Sequence, residues 1–415
     1  MNIYKNGYIV DTVNNINIAS VTKQVYLNSF GKLGINTLMD VFKGDIVIPV
    51  FRLYLLYDNE QVRMDASEDF ISGDLSIQYQ SGQRRSMNIT LANIDGKWNP
   101  KPITGLIWTG SKFRLDTGIL IKDTLYWKQQ GVFLVKDPQS ARENSNQTIS
   151  LSLCDKFGLL DGAVYGRTSL KTIVPVGVPM YQAFNVLLNS DRGNGVPFDF
   201  KPILFNTRHK NTLTYYTIKQ EAGNTLGEIF TDMGDTISSD VYYNEFGNMI
   251  VKSIVNEFIS ANFPVVYRFN ENDKDIISAS INYNTSQTRN KITVKGAIVN
   301  GYQFSATAKN RNPKSDYCIQ YNGEIPEYIS DSKLYADELC MDRAMYELIN
   351  YTRGSKTLNL SCTYLPVLDI NQSVLVYYPS LGLYNENYII DAISMSISSD
   401  AKTVLTLTNT NEVIF

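Results

Sequence analysis

Histidine occurs once, at His209, and cysteine four times, at Cys154, Cys318, Cys340 and Cys362, with no two placed as a CxxC pair. A Ser-His-Asp triad would have to rest on His209, and no nucleophile elbow surrounds a Ser or Cys. Scattered single thiols and one imidazole do not assemble a zinc site, and four thiols in 415 residues are no disulfide scaffold. They read as small buried hydrophobes. No apolar run approaches a membrane span, and the densest, 46–57, is broken by Pro49 and Arg52. The N-terminus lacks a basic start followed by an apolar core, so no signal peptide is expected, and the chain reads as soluble and made in a reducing cytoplasm. Charge is scarce at 19%, against roughly a quarter in ordinary domains. The 38 basic and 41 acidic side chains leave −3, which argues against a general nucleic-acid surface. The turn Asp191-Arg192-Gly193-Asn194-Gly195 has two glycines but no following GKS or GKT, so it is no phosphate loop. The acids at 40–45 and 270–275 lack calcium-loop spacing.

Aromatics, by contrast, reach 12%, with 27 Tyr and 18 Phe, and 43% of residues are apolar. Such a chain is globular and suited to burying surface in assemblies. Most of it reads as strand. Asp74-Leu75-Ser76-Ile77-Gln78-Tyr79 and Met87-Asn88-Ile89-Thr90-Leu91-Ala92 alternate apolar and polar residues, which puts one face in a core and the other in water or against a neighbour. Residues 80–85 form the turn between them, and further strands are predicted at 112–121, 124–135 and 147–153. Trp98, Trp108 and Trp127 cluster in this region and suit packing or subunit contact better than sugar stacking.

Beyond Cys154 the texture changes. A short helix over 155–161 closes at Gly162, a second helix runs from about 180 to 189, and a third is predicted within 217–233 from its helical apolar spacing. A hairpin at 240–251 follows, with Gly247 in its turn. Strands return at 276–283, 291–299, 315–321, 356–363, 373–378, 387–398 and 403–407. One amphipathic helix interrupts them, capped by Asp331 or Ser332, striped by Ala336, Cys340, Ala344 and Leu348, and ended by Gly354. Its narrow, small-residued stripe predicts close packing on a sheet. The expected organisation is mainly β with an α+β insert: 1–45 an arm ordered on a partner, 46–165 a first β-domain, 166–269 the inserted module, and 270–415 a second β-domain with one long helix. The two β-domains suggest a structural duplication, although no residue-level repeat is visible.

Candidate chemistry is thin. Two acids suffice for glycoside hydrolysis, and Asp232 with Asp235, or Glu324 with Glu327, can be nominated; each reads equally well as a solvated loop or helix end. His209, in a basic and polar segment, is expected in an exposed loop. Arg84 and Arg85 at a hairpin tip form the sharpest basic feature, either a solvated turn or a pair that docks on an acidic neighbour. We nominate both as a subunit or partner contact. No catalytic, cofactor or metal residue is assigned.

Several segments resemble the hub proteins of phage tails and related contractile injection machines. Ile71-Ser72-Gly73-Asp74-Leu75-Ser76-Ile77 leads into Arg84-Arg85-Ser86-Met87-Asn88-Ile89-Thr90-Leu91 and Gly96-Lys97-Trp98-Asn99-Pro100. Leu106-Ile107-Trp108-Thr109-Gly110, Tyr126-Trp127-Lys128-Gln129-Gln130-Gly131 and Asp155-Lys156-Phe157-Gly158-Leu159-Leu160-Asp161-Gly162 follow in the order of the family's opening β-domain. Gly223-Asn224-Thr225-Leu226-Gly227 with the 243–251 hairpin is similar to its inserted module. The 328–348 helix region with Pro366-Val367-Leu368-Asp369-Ile370 and Tyr388-Ile389-Ile390-Asp391-Ala392 looks like its second domain. The resemblance implies two tail-tube-like β-barrel domains per chain and a homotrimer forming a pseudo-sixfold ring. Its partners would be a tail tube protein above, a central spike or tip protein below and other baseplate proteins, with DNA only in transit through the lumen and no stable membrane association. The location implied is the virion tail baseplate, assembled in the host cytoplasm. With the chain ending straight after its last strand, no lytic domain is expected. The rivals are a tail-associated cell-wall hydrolase using paired carboxylates and a host-glycan-binding tail protein.

Overall fold

The computed structural model describes residues 3–5, 8–10, 23–26, 48–121, 124–143, 146–164, 166–193, 195–255, 258, 264–284, 286–398 and 400–412. The expected arm at 1–45 lies largely outside them. Its described pieces are the pair Ile3–Lys5 with Tyr8–Val10 and the strand Lys23–Tyr26, which runs parallel to 124–127.

Alternating apolar residues build the first β-rich region as β1 (Ile48–Leu56), β2 (Val62–Asp65), β3 (Phe70–Gln78), β4 (Arg85–Ala92), β5 (Lys112–Ile121), β6 (Thr124–Glu143) and β7 (Asn146–Asp155). An insert follows, with helices α1 (Met180–Leu188) and α2 (Gly227–Thr236) and a three-stranded sheet of β8 (Leu204–Asn206), β9 (Asp240–Tyr243) and β10 (Met249–Lys252). The last region contains β11 (Val265–Asn270), β12 (Ile276–Tyr283), β13 (Lys291–Val299), β14 (Tyr302–Lys309), β15 (Pro326–Ser330), α3 (Asp337–Thr352), β16 (Lys356–Thr363), β17 (Ser373–Tyr378), β18 (Leu383–Ile397) and β19 (Lys402–Asn409). The chain is mainly β, as its alternation predicts. Among the described residues no helix is long and apolar enough to cross a membrane.

The two β-rich regions are not separate. One 14-stranded sheet runs β12-β16-β19-β18-β3-β4-β7-β6-β5-β1-β2, with β17 and β11 branching from β18 and Lys23–Tyr26 pairing with β6. A single core beneath it gathers Leu75, Ile89, Phe113 and Leu151 from the first region and Leu358, Ile393, Met395 and Leu405 from the last. Within the sheet the same strand order occurs twice: β1-β5-β6-β7-β4-β3, and β11-β17-β18-β19-β16-β12. All five pairings of the first set are antiparallel, as are four of the five in the second. The first strand differs: β1 runs antiparallel to β5, whereas β11 runs parallel to β17.

Four local expectations are corrected. The 217–233 helix is instead a short strand, Ile218–Gln220, followed by α2 from Gly227. Gly223, at φ 83°, turns the chain in a left-handed conformation that favours glycine and breaks the apolar stripe there. Residues 315–321 are a turn and a helical turn, Ile319–Asn322, because the Ser315 hydroxyl accepts the Tyr317 N–H at 3.1 Å and so competes with a ladder. Helix α3 starts at Asp337 behind Ala336 with no side-chain cap; Asp331 instead accepts the Lys333 N–H at 2.9 Å in the preceding turn. The third-helix stripe does pack as its small residues predict: Cys340, Ala344 and Leu348 lie against Ile292 and Val294 of β13. A Cβ on Gly296 would stand 2.4 Å from the Leu334 carbonyl and 2.9 Å from the Cys340 Sγ, so this close approach requires glycine. The fourth correction concerns His209, described with the site below.

Candidate functional site: a polar sheet face and the buried charges beside it

Period-two alternation gives the large sheet two chemically distinct faces. Leu75, Ile77, Met87, Ile89, Leu151 and Leu153 point into the core. The residues between them point outward, and Asp74, Asn88, Thr90, Asp137, Gln139, Ser150 and Ser152 line a groove of about 340 Å³ across β3, β4, β7 and β6. None of the residues lining it is Lys or Arg. The face continues into the other region through Asn359, Ser361, Ser394 and Thr406, where Thr406 donates to Asn359 at 3.1 Å. The groove has hydroxyls and amides to hold water but no fixed cations to hold a polyanion.

Beside this sheet the insert is pinned by buried charges. Arg84 and Arg85, with 3% and 4% of their surfaces exposed, turn inward rather than project from a solvated tip. The acidic neighbours foreseen for them lie in the same chain. Arg84 pairs with Asp240 at 2.6 Å and stacks on Tyr242, 3.4 Å from the ring centre. Tyr346 of α3 donates to the same carboxylate at 2.7 Å. Arg85 forks onto both oxygens of Asp369 at 3.1 Å and donates to the Gln130 carbonyl at 3.0 Å. Both charges are thus met by carboxylates within the chain. Asp155 holds the turn behind them by accepting the N–H groups of Arg84, Arg85 and Phe157 at 2.8, 2.9 and 3.0 Å. Lys156, fully buried, bridges Glu60 at 2.6 Å and Asp199 at 2.7 Å. Asp240, Asp369, Glu60 and Asp199 were not legible as partners, since each lies tens of residues or more from its cation and no local pattern links them. A cavity of about 360 Å³ at this junction is lined by Tyr79, Asp240, Tyr346, Arg353 and Asp391 among others.

His209 is buried, not in an exposed loop. Its Nε2 lies 2.6 Å from Asp342 of α3 and its Nδ1 3.3 Å from the Thr212 hydroxyl, while Arg208 forks onto the same carboxylate. This cluster ties the insert to α3, with Asp342 already committed to a guanidinium. The acids nominated for hydrolysis are each ion-paired: Asp232 with Lys333, Asp235 with Arg343 at 3.1 Å, Glu327 with Arg289 at 3.2 Å. Glu324 bridges Lys291 and Lys309, both at 2.6 Å, and these bonds hold it down to about 2. The four thiols are buried, and burial pushes Cys154 up to about 12 and Cys340 up to about 11. Trp98 and Trp127 are wholly buried, in keeping with a packing role.

The buried acids imply a pH profile. Burial raises Asp116, Asp235, Glu347 and Glu412, and lifts Asp155 to about 6. Burial also acts on Glu60, Asp342 and Asp369, but there nearby cations and hydrogen bonds outweigh it and hold all three below the usual carboxylate range. Groups of the first kind bind protons more tightly folded than unfolded, so their contribution is lost as pH rises through the folded value. Those of the second kind lose theirs as pH falls through the lowered folded values. Stability should therefore rise from about pH 7.5 to about pH 5 and drop below about pH 4. Urea midpoints across that range check this, and a midpoint that falls steadily from neutrality downward contradicts it.

Residues 314–412 match the family model described as "Domain of unknown function (DUF5048)", which covers the end of the last region only. No curated protein matches the sequence. Among solved structures, the 43 kDa tail protein of prophage MuSo2 from Shewanella oneidensis aligns over 88% of this chain and 99% of its own, with a TM-score of 0.59 and 16% identity. A tail protein from Neisseria meningitidis MC58 aligns over 88% and 99%, with a TM-score of 0.57 and 12% identity. At these identities the likeness is one of fold: the chain has the fold of phage tail proteins.

Proposed function

We propose that this chain is a structural hub protein of a phage or phage-like tail. Three copies form a ring of six near-equivalent sheet units that joins a sixfold tail tube to a threefold spike or tip. The polar face lines the lumen, and DNA meets it only in transit. The observation that carries this reading is the strand order repeated within one chain. A threefold ring presents six similar contacts to a tube only if each chain supplies two similar units. The small difference between the units, the direction of the first strand, leaves the other side of the ring free to keep true threefold symmetry. The partners are then the tube protein, the spike or tip protein and other baseplate proteins, in the virion tail after assembly in the host cytoplasm. No stable membrane association enters, and the chain acts by shape rather than by catalysis.

The test is particle mass and shape. Light scattering of the purified chain should give three times its 46.9 kDa, and electron micrographs should show threefold rings with a central opening. A monodisperse monomer or dimer that stays so in the presence of tail tubes overturns the ring.

A further inference from the structure

Beyond their strand order, the two six-stranded units share the places of their bulges. In β6 the pairing with β7 skips Lys136, between Val135↔Leu153 and Asp137↔Ser152. In β18 the pairing with β19 skips Asp391, between Ile390↔Leu407 and Ala392↔Thr406. The β3–β4 pair skips Ile71 and the β12–β16 pair skips Ile277, again at corresponding places. Val135 exchanges two backbone bonds with Gly110 and Ser111, at 2.8 and 2.9 Å, and Ile390 does the same with Asn371 and Gln372, both at 2.9 Å. Gly110 and Asn371 both have positive φ, 87° and 62°, turning the chain away from the strand beyond.

That turn leaves the far half of β18 open on one side, and there β3 pairs with it: 392–397 run antiparallel to 78–73. This is the seam between the two units. The equivalent stretch of β6, 137–142, has no strand on that side among the described residues, and neither has the outer edge of β12, the counterpart of β3. Among the described residues each chain thus contains the seam once and carries its two halves, unpaired, at opposite ends. Open edges of this kind are templates for another strand.

We propose that the occupant is a second copy of this chain: residues 137–142 of one copy pair antiparallel with 284–279 of the next, repeating the β18–β3 seam. In the internal seam Ile393 faces Ile77 and Met395 faces Leu75, all buried. By the same register Pro138 faces Tyr283 and Ser140 faces Ile281. Tyr283 is 64% exposed in the single chain, although its counterpart Ile77 is fully buried, so the seam between copies covers an aromatic that the lone chain leaves in water. Pro138 and Ser140 are less apolar than Ile393 and Met395, which makes the seam between copies the weaker one. The contact is head-to-tail and so closes into a ring or runs on as a filament. That it closes at three copies rests on the hub reading above; the pairing itself does not.

Cysteines test the register, because Gln139 and Asn282 fall opposite each other as Ser394 and Ser76 do, both are exposed, and the four native thiols are buried. Under mild oxidation a mixture of Gln139→Cys and Asn282→Cys chains should yield a disulfide-linked dimer, while neither variant alone does. The double variant should close into a covalent trimer. Pairing Gln139→Cys with Ser278→Cys, four residues out of register, should cross-link at least about tenfold less, since cross-strand disulfides need direct opposition. Tyr283→Asp should abolish the oligomer without changing the monomer's melting. No dimer from the mixed variants, with three-copy particles present, overturns the pairing and leaves the ring. Dimers and open ladders without a closed trimer keep the pairing and overturn the threefold ring. Neither product nor particle overturns both.

Discussion

Lysines placed on the polar face by Asp74→Lys, Asn88→Lys and Gln139→Lys are expected to convert a protein that does not retain duplex DNA at physiological salt into one that does. All three positions are exposed and line the groove in which the chain places no cation. Each lysine that reaches a phosphate releases a condensed counterion, so the logarithm of the binding constant should fall with the logarithm of salt by about 0.9 per contact. With three added charges per chain, several contacts act together, and affinity should change by orders of magnitude between about 50 and 200 mM salt. Filter binding or mobility shift on the wild type and the triple variant reads this directly. If the face lines a tail lumen as proposed, a tail carrying these lysines should eject its genome slowly, because a lumen that grips DNA adds friction at every phosphate that passes. Retention of duplex DNA by the wild type itself would contradict a lumen role for this face.

Truncating Arg84 is expected to be among the most damaging single changes in the molecule. Its guanidinium and the Asp240 carboxylate have side-chain exposures of 1% and 2%. Arg84→Ala leaves that carboxylate buried beside two tyrosine hydroxyls without its cation, and removing one partner of a buried pair costs about 3–5 kcal/mol. Arg84→Glu should cost more, since it sets two acids together in the same site. Urea unfolding measures the loss. Arg84→Met combined with Asp240→Asn should recover part of it, because the unpaired charge goes with its partner. A loss below about 1 kcal/mol for Arg84→Ala would mean the pair acts like a surface salt bridge, and the insert would then be held by other contacts.

Much of the architecture was legible in the chain because it is written at short range. The alternation in 74–79 and 87–92 does not depend on what lies opposite, so strands β3 and β4 and the face each buries could be read directly. The stripe of Cys340, Ala344 and Leu348 similarly announced a helix lying close on a sheet, and it packs on β13. Where local polar groups compete with the backbone, the reading failed: Ser315 and Gly223 both redirect the chain within a few residues of an otherwise persuasive apolar pattern.

The residues that hold the parts together were not legible. Arg84 and Arg85 stood out as basic, yet their partners Asp240 and Asp369 lie 156 and 284 positions away. His209 looked exposed because its sequence neighbours are polar, whereas Asp342 reaches it across 133 positions from another element. Charge pairing is a property of space, and one sequence does not say which of many acids is near.

By itself the sequence determined that this is a β-rich, charge-poor, tyrosine-rich chain with a mixed insert, since composition and period-two patterning act residue by residue. Only the tertiary structure decided that the two β-rich regions share one sheet, that their strand orders and bulges coincide, and that β18 and β3 meet in a seam between them. Strand order is set by which edges meet after the chain has folded back across hundreds of residues, and the two units share that order without a visible sequence repeat because hydrogen-bonded ladders constrain register and face far more than side-chain identity.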